Sequence, residues 1–362
     1  VHVETDDSLI KESILETAQI ISSNGGFVAE DFTVHYFDGN FSSSIKDQIG
    51  TPDRVLVHYP MHLAVPLSEI EWSDDPQSMG SYTAPTTLDA NQLRLVELWV
   101  TMVDHAEKLN MINTFVPDFA IRNSELRAAL LNLGFPKFDE VPHPQDAKKT
   151  LISWHSFGSG RGDQSKKRLI PLKMFVNHHH SGARQSLPDP GIHVLTSKTS
   201  NSEQTYENYG DLDAMQLLTG FGFVDHEAPV VHSTPLEVES SIGVIAVNAR
   251  SWRYPPQESG RQALTWIQSD DGSVSLRHLA IRPDNRHSTV TYLAMGIQSM
   301  VGSTADVAQK EAERLINEIL QINHNKYSQV IRVLPLEESG KQSATMVREA
   351  CEIQVRKLVQ WW

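Results

Sequence analysis

Residues 168–184 read RLIPLKMFVNHHHSGAR, and residues 201–225 read NSEQTYENYGDLDAMQLLTGFGFVD. The first stretch is an apolar, strand-like run that ends in the pair Asn177-His178. In the second, TYENYG is strand-like, and Ala214, Leu217 and Leu218 fall within one short helical pattern. The aromatic box Phe221-Gly222-Phe223 follows. Two such segments describe a pocket: one brings a carboxamide and backbone groups, the other a phenol (Tyr209) and aromatic faces. Three consecutive histidines, His178 to His180, invite a metal. Successive strand side chains point to opposite faces, however, and neither Cys nor acid accompanies them, so no metal site is expected.

Composition sets the class around this stretch. At 362 residues the chain exceeds one ordinary core and suggests two or three modules. With 40% apolar and 21% charged residues it reads as a soluble globular protein. No apolar run is long enough to predict a membrane span. The start, VHVETDDSLIK, lacks the basic-then-apolar pattern of a secretory signal, and the single cysteine, Cys351, excludes an intramolecular disulfide and a multi-Cys zinc site. An intracellular, cytoplasmic location is the expectation. A net charge of −14 argues against nucleic-acid binding, which needs a basic footprint.

Outward from the two segments, the chain alternates short strands and helices. Leu9, Ile10, Ile14, Leu15, Ala18 and Ile21 predict a helix over 8–22, stopped by Asn24-Gly25-Gly26. Residues 27–29 and 54–60 are expected as strands, with a polar loop between them. Residues 68–90 are loop-rich and mark a module junction. Leu93, Val96, Trp99, Val100 and Val103 form one helical stripe, and Leu126, Ala129, Leu130 and Leu133 another, ended by Gly134 and Pro136. After Asp225 come strand-like pieces (SIGVIAVNAR, RQALTWIQS), then two long helices, about 303–321 and 340–360. Four segments follow: 1–90, a helical stretch 91–165, the motif region 166–230 and a mostly helical 231–362.

The ordered motifs resemble those of SET-domain methyltransferases, in the branch of the Rubisco large-subunit lysine methyltransferase and the actin-histidine methyltransferase. There the pattern runs roughly PLxDMxNH, GEQ-(x)-YG and NxxLLxxYGF; here it reads PLKMFVNH, SEQTYENYG and DAMQLLTGFGF. The resemblance implies an α+β chain: a SET β-fold of short strands with a pseudoknot-like core, split by a helical insertion and followed by an α-helical substrate-docking domain. It also implies S-adenosyl-L-methionine as cofactor. Asn177 and His178 then hold the donor, Gly25, Gly26 and Phe27 form its backbone loop, and Phe223 packs on adenine. Tyr209 is the catalytic tyrosine, with Met174 and Phe221 lining the substrate pocket.

Methyl transfer to nitrogen needs an aligned donor and acceptor and exclusion of water, with no metal and no covalent nucleophile. One hydroxyl near the reacting nitrogen is the group to seek, and its spacing to Gly210 and to the Phe-Gly-Phe box favours Tyr209 over Tyr206. This chain departs from the family at Met174, where an acid is usual, and at Phe221, where a tyrosine is. No counterpart of the family's Ser-Arg or Thr-Arg pair stands between Leu151 and Leu169. The expectation is therefore N-methylation of a lysine or histidine in a protein partner. The alternatives are the same donor pocket acting on an apolar small molecule, and a non-catalytic SET-fold binding module.

Overall fold

The computed structural model describes residues 1–46, 51–72, 82–83, 87–105, 123–134, 156–158, 167–184, 191–197, 203–210, 212–221, 223–248, 264–282, 284–334 and 342–362. The chain forms two compact units, Val1–Asn113 with Pro142–Gly210, and Thr114–Val141 with Asp211–Trp362. Both combine helices with small sheets, an α+β architecture with a largely helical C-terminal part.

In the first unit, strand β1 (His2–Glu4) leads into helix α1 (Ser8–Ser23). Asp7 caps the helix by accepting from the Ile10 amide at 3.0 Å, one of the donors a helix start leaves unpaired. The expected stripe is the buried one: Ile10, Ile14, Ala18 and Ile21 enter the core. Asn24 ends the helix, and Gly25 at φ +84° turns the chain. A Cβ on Gly26 would meet the Ile21 side chain and the His58 carbonyl oxygen within 2.7 Å, so only glycine lets the helix end approach the sheet this closely. Strands β2 (Phe27–Val28), β3 (Phe32–Phe37), β4 (Asn40–Ile45) and β5 (Val55–Pro60) follow.

The segment between the strands at 27 and 54, expected as a loop, instead contains the hairpin β3–β4. Asp38 and Gly39 both have positive φ, the two-residue turn whose twist matches paired strands. Phe32, Val34, Phe41 and Ile45 are buried in the unit's core. β1 pairs in parallel with β3, while β2 and a later strand at Gly191–Leu195 flank β5 in antiparallel register.

Short strands β6 (Val65–Pro66), β7 (Glu71–Trp72) and β8 (Tyr82–Thr83) precede helix α2 (Ala90–His105), which buries Leu95, Val96, Trp99 and Met102. After β9 (Ser156–Gly158), β10 (Lys167–Leu169) pairs with β6 and β9. The apolar run from 168 is not one strand: Pro171 cannot donate to a ladder, and a single 3₁₀ turn at Lys173–Phe175 intervenes. Asn177 therefore begins a strand, β11 (Asn177–Arg184), rather than ending one. β12 (Gly191–Leu195) and β13 (Tyr206–Asn208) complete the unit, with β13 parallel to β11.

The second unit contains α3 (Ser124–Asn132), α4 (Ala214–Phe221), β14 (Val231–His232), β15 (Leu236–Ser240), β16 (Gly243–Val247), β17 (Thr265–Gln268), β18 (Val274–Arg277), β19 (Ala280–Ile281) and three closing helices. These are α5 (Arg286–Val301), α6 (Ala305–Val333) and α7 (Gln342–Val359). The helix expected at 303–321 runs twelve residues further, because Leu320, Asn323, Tyr327 and Val330 extend the same buried face. α5 escaped the sequence reading: Tyr292, Met295 and Val301 are exposed opposite the buried Val290, Leu293 and Ile297, so apolar residues surround it. Strands β15, β16, β18 and β17 form one sheet in that order. Among the described residues no helix is long and apolar enough to cross a membrane.

Candidate functional site

The turn before Asn177 is anchored from below. Leu172 is fully buried at φ 66° and ψ −37°, and across it the Lys173 amide donates to the Pro171 carbonyl at 2.9 Å. That is close to the rare γ-turn with positive φ, a strained conformation for a bulky residue and one that concentrates at functional sites. Phe175 then drops into the core, its ring 4.7 Å from that of Phe41. Lys173 lies on the turn between these two anchors, and Val176 closes it.

Tyr209 meets this turn and the strand start together. Its backbone N–H donates to His178 Nδ1 at 3.1 Å, and its hydroxyl donates to the Val176 carbonyl at 2.9 Å. The His178 and Tyr209 rings lie 5.1 Å apart, and Lys173 Nζ stands 5.9 Å from the Tyr209 ring centroid. Because Nδ1 accepts, the imidazole proton of a neutral His178 sits on Nε2. The hydroxyl's one donor is committed to Val176, so toward any other group the oxygen acts as an acceptor. Asn177 Nδ2 reaches the Phe41 carbonyl at 3.4 Å, a long contact.

β13 is held against β11 by close backbone approach. A Cβ on Gly182 would meet the Glu207 carbonyl carbon at 2.6 Å, so glycine is required there. His178 and Ala183 both fall opposite Glu207, with residues 179–182 bulging out between them. This bulge overrides simple strand alternation, and the His179 and His180 rings stack at 4.3 Å instead of pointing to opposite faces. Asn208 pins the bulge by donating to the His180 carbonyl, and its own oxygen accepts from Gly210. Lys173 Nζ pairs with Glu207 Oε2 at 3.0 Å; the two side chains are 11% and 2% exposed, a nearly buried ion pair. Sequence reasoning passed over both residues, since a lone charge in a strand-like run reads as solvated.

Tyr206, the competing phenol, is engaged elsewhere: its hydroxyl donates to Gln204 and its ring lies 5.1 Å from that of His179. Gly25, Gly26 and Phe27 lie at the junction of α1 and β5, with Phe27 exposed and opposite His58. Nothing within 4 Å would obstruct a Cβ on Gly25, so open space faces this turn. Met174 occupies the middle of the 3₁₀ turn. Phe221, the last residue of α4, and the half-buried Phe223 belong to the second unit. Gly222 lies outside the described residues.

The groups present fit an adenosyl donor in kind. The Asn177 carboxamide has only one long side-chain hydrogen bond among the described residues, which leaves its oxygen and second N–H for a ligand's polar end. The open turn at Gly25 suits backbone approach.

No protein-family model matches the chain, and no curated protein matches it. Among solved structures the chain is similar to one described as "Crystal structure of the SET domain of LSMT bound to Lysine and AdoHcy". The identity is 11%, over 98% of this chain and 90% of that one, and the TM-score is 0.44.

Proposed function

We propose that this chain is an S-adenosylmethionine-dependent N-methyltransferase of the SET type, acting on a lysine or histidine of a protein. One observation carries the reading: Tyr209, 32 residues downstream of Asn177 in sequence, is bonded through both its amide and its hydroxyl to the turn that presents Asn177 and His178. The ordered motif resemblance supports the same assignment.

The donor supplies an activated methyl on a sulfonium, so that a C–N bond forms as the C–S bond breaks. The protein's own residues do the rest. Asn177 offers its carboxamide, and Gly25 and Gly26 their backbone, to hold polar ends of the donor. Tyr209, with its O–H directed at Val176, turns lone pairs toward the acceptor nitrogen, orienting its N–H and stabilising charge that develops there. Burial of the surrounding turn keeps water from screening these contacts.

Calorimetry with S-adenosylhomocysteine tests the reading. Asn177→Ala is expected to weaken binding by about 1–3 kcal/mol, the penalty for leaving polar partners unpaired. No binding to the folded wild-type protein, or equal binding by the variant, contradicts the assignment.

A further inference from the structure

Residues 173–178 grip Tyr209 at three points. His178 takes its amide, Val176 takes its hydroxyl, and Lys173 stands over its ring. The first two fix the backbone and the phenol's far end. The third bears on the ring plane, since a cation favours the face of an aromatic ring. Lys173 is itself held at 3.0 Å by Glu207, two residues before Tyr209, and it directly follows the strained backbone of Leu172. A buried ion pair is poor evidence for stability but suits fixing one geometry. A strained residue next to it is the kind of outlier from which a functional constraint is inferred.

We infer that Lys173 is a positioning residue: pinned by Glu207, it sets the orientation of the Tyr209 ring and hence where the hydroxyl lone pairs point. The inference rests on the methyltransferase reading for its consequence in catalysis, but not for the positioning itself. It also bears on Met174, where the family's acid is missing. In this chain the Glu207 carboxylate on β13, two residues before Tyr209, is neutralised by Lys173, so no free negative charge from this pair greets a cationic acceptor.

The test uses the full chain with ¹³C-labelled tyrosine, the Tyr209 signals being assigned by their loss in Tyr209→Phe. Removing one charge alone risks unfolding, so the informative variant is the double change Lys173→Met with Glu207→Gln, which leaves no unpaired buried charge. Its fold is checked by thermal melting. The expected result is a displaced or broadened Tyr209 ring signal in this folded variant, and a signal close to wild type in Lys173→Arg. Transfer of tritiated methyl from S-adenosylmethionine to histidine- and lysine-containing peptides is expected to fall on the order of 10- to 100-fold in kcat, with KM nearly unchanged, as misalignment at a reacting centre does. In a Tyr209→Phe background the double change is expected to add no further loss. A folded double variant with wild-type Tyr209 signals overturns the inference. If the wild-type protein transfers no methyl to any peptide, the functional reading fails, and the Tyr209 signals still decide whether Lys173 positions the ring.

Discussion

Around Asp213 in the second unit, both carboxylate oxygens end on backbone amides: Oδ1 takes the Gln216 N–H at 2.7 Å and Oδ2 the His232 N–H at 2.8 Å. The Gln216 side chain returns a bond to the Asp213 amide, a reciprocal cap at the start of α4. Nearby, Asn323 sits fully buried in the apolar face of α6 and spends its amide on Thr234, Ser233 and Ile319. Around Tyr209 in the first unit the arrangement differs. The hydroxyl's donor is fixed on Val176, and the Asn177 carboxamide makes one long side-chain hydrogen bond among the described residues. A buried polar network that closes on backbone holds elements together, whereas a carboxamide with unused hydrogen-bonding groups has capacity for a further partner.

Substitution at each network sharpens this contrast. Asp213→Ala is expected to produce the largest stability loss, about 2–4 kcal/mol, from a lost helix cap and an amide left without an acceptor. Chemical denaturation measures it, and a loss under 1 kcal/mol would break the idea that this network is structural. Burial pushes the Asp213 carboxyl up despite its two amide donors, in keeping with a group that serves packing first.

A smaller effect is expected from the first unit's sheet. His58 and His193 face each other across β5 and β12 with rings 4.9 Å apart, and burial, then the neighbouring His58, hold the His193 imidazole below the ordinary 6.5. Between that lowered value and 6.5 the unfolded chain binds more protons than the folded one, so stability rises with pH across this window. As pH falls below 6.5 the melting temperature should therefore drop, and His193→Gln should flatten the decline. An unchanged slope in the variant assigns the acid sensitivity to other groups.

What the sequence disclosed, and what it hid, follows from the range of each interaction. The stop at Asn24-Gly25-Gly26 and the helix before it are local, set by an i, i+4 stripe and a positive-φ glycine, and both were legible. The hairpin β3–β4 was hidden because Ser42, Ser43 and Ser44 read as a polar loop, although Ser43 and Ser44 are buried. The Asp38-Gly39 turn was the available signal. In the site, Tyr209 and the Asn177-His178 pair were legible as types at a spacing. Their mutual bonds were not, because they depend on the bulge at 179–182 and the turn at Leu172. The Lys173–Glu207 pair joins residues on two segments, and no one-dimensional pattern marks it.

The most direct measurement compares Tyr209→Phe with Tyr206→Phe in tritiated methyl transfer, with S-adenosylhomocysteine affinity measured alongside. Tyr209→Phe is expected to leave the affinity nearly unchanged while lowering turnover on the order of 10²-fold, the usual effect of removing one preorganised polar group at a reacting centre. Tyr206→Phe, whose hydroxyl donates to the Gln204 side chain, is expected to be mild. Equal, small effects at the two positions would make Tyr209 a packing residue and contradict the account.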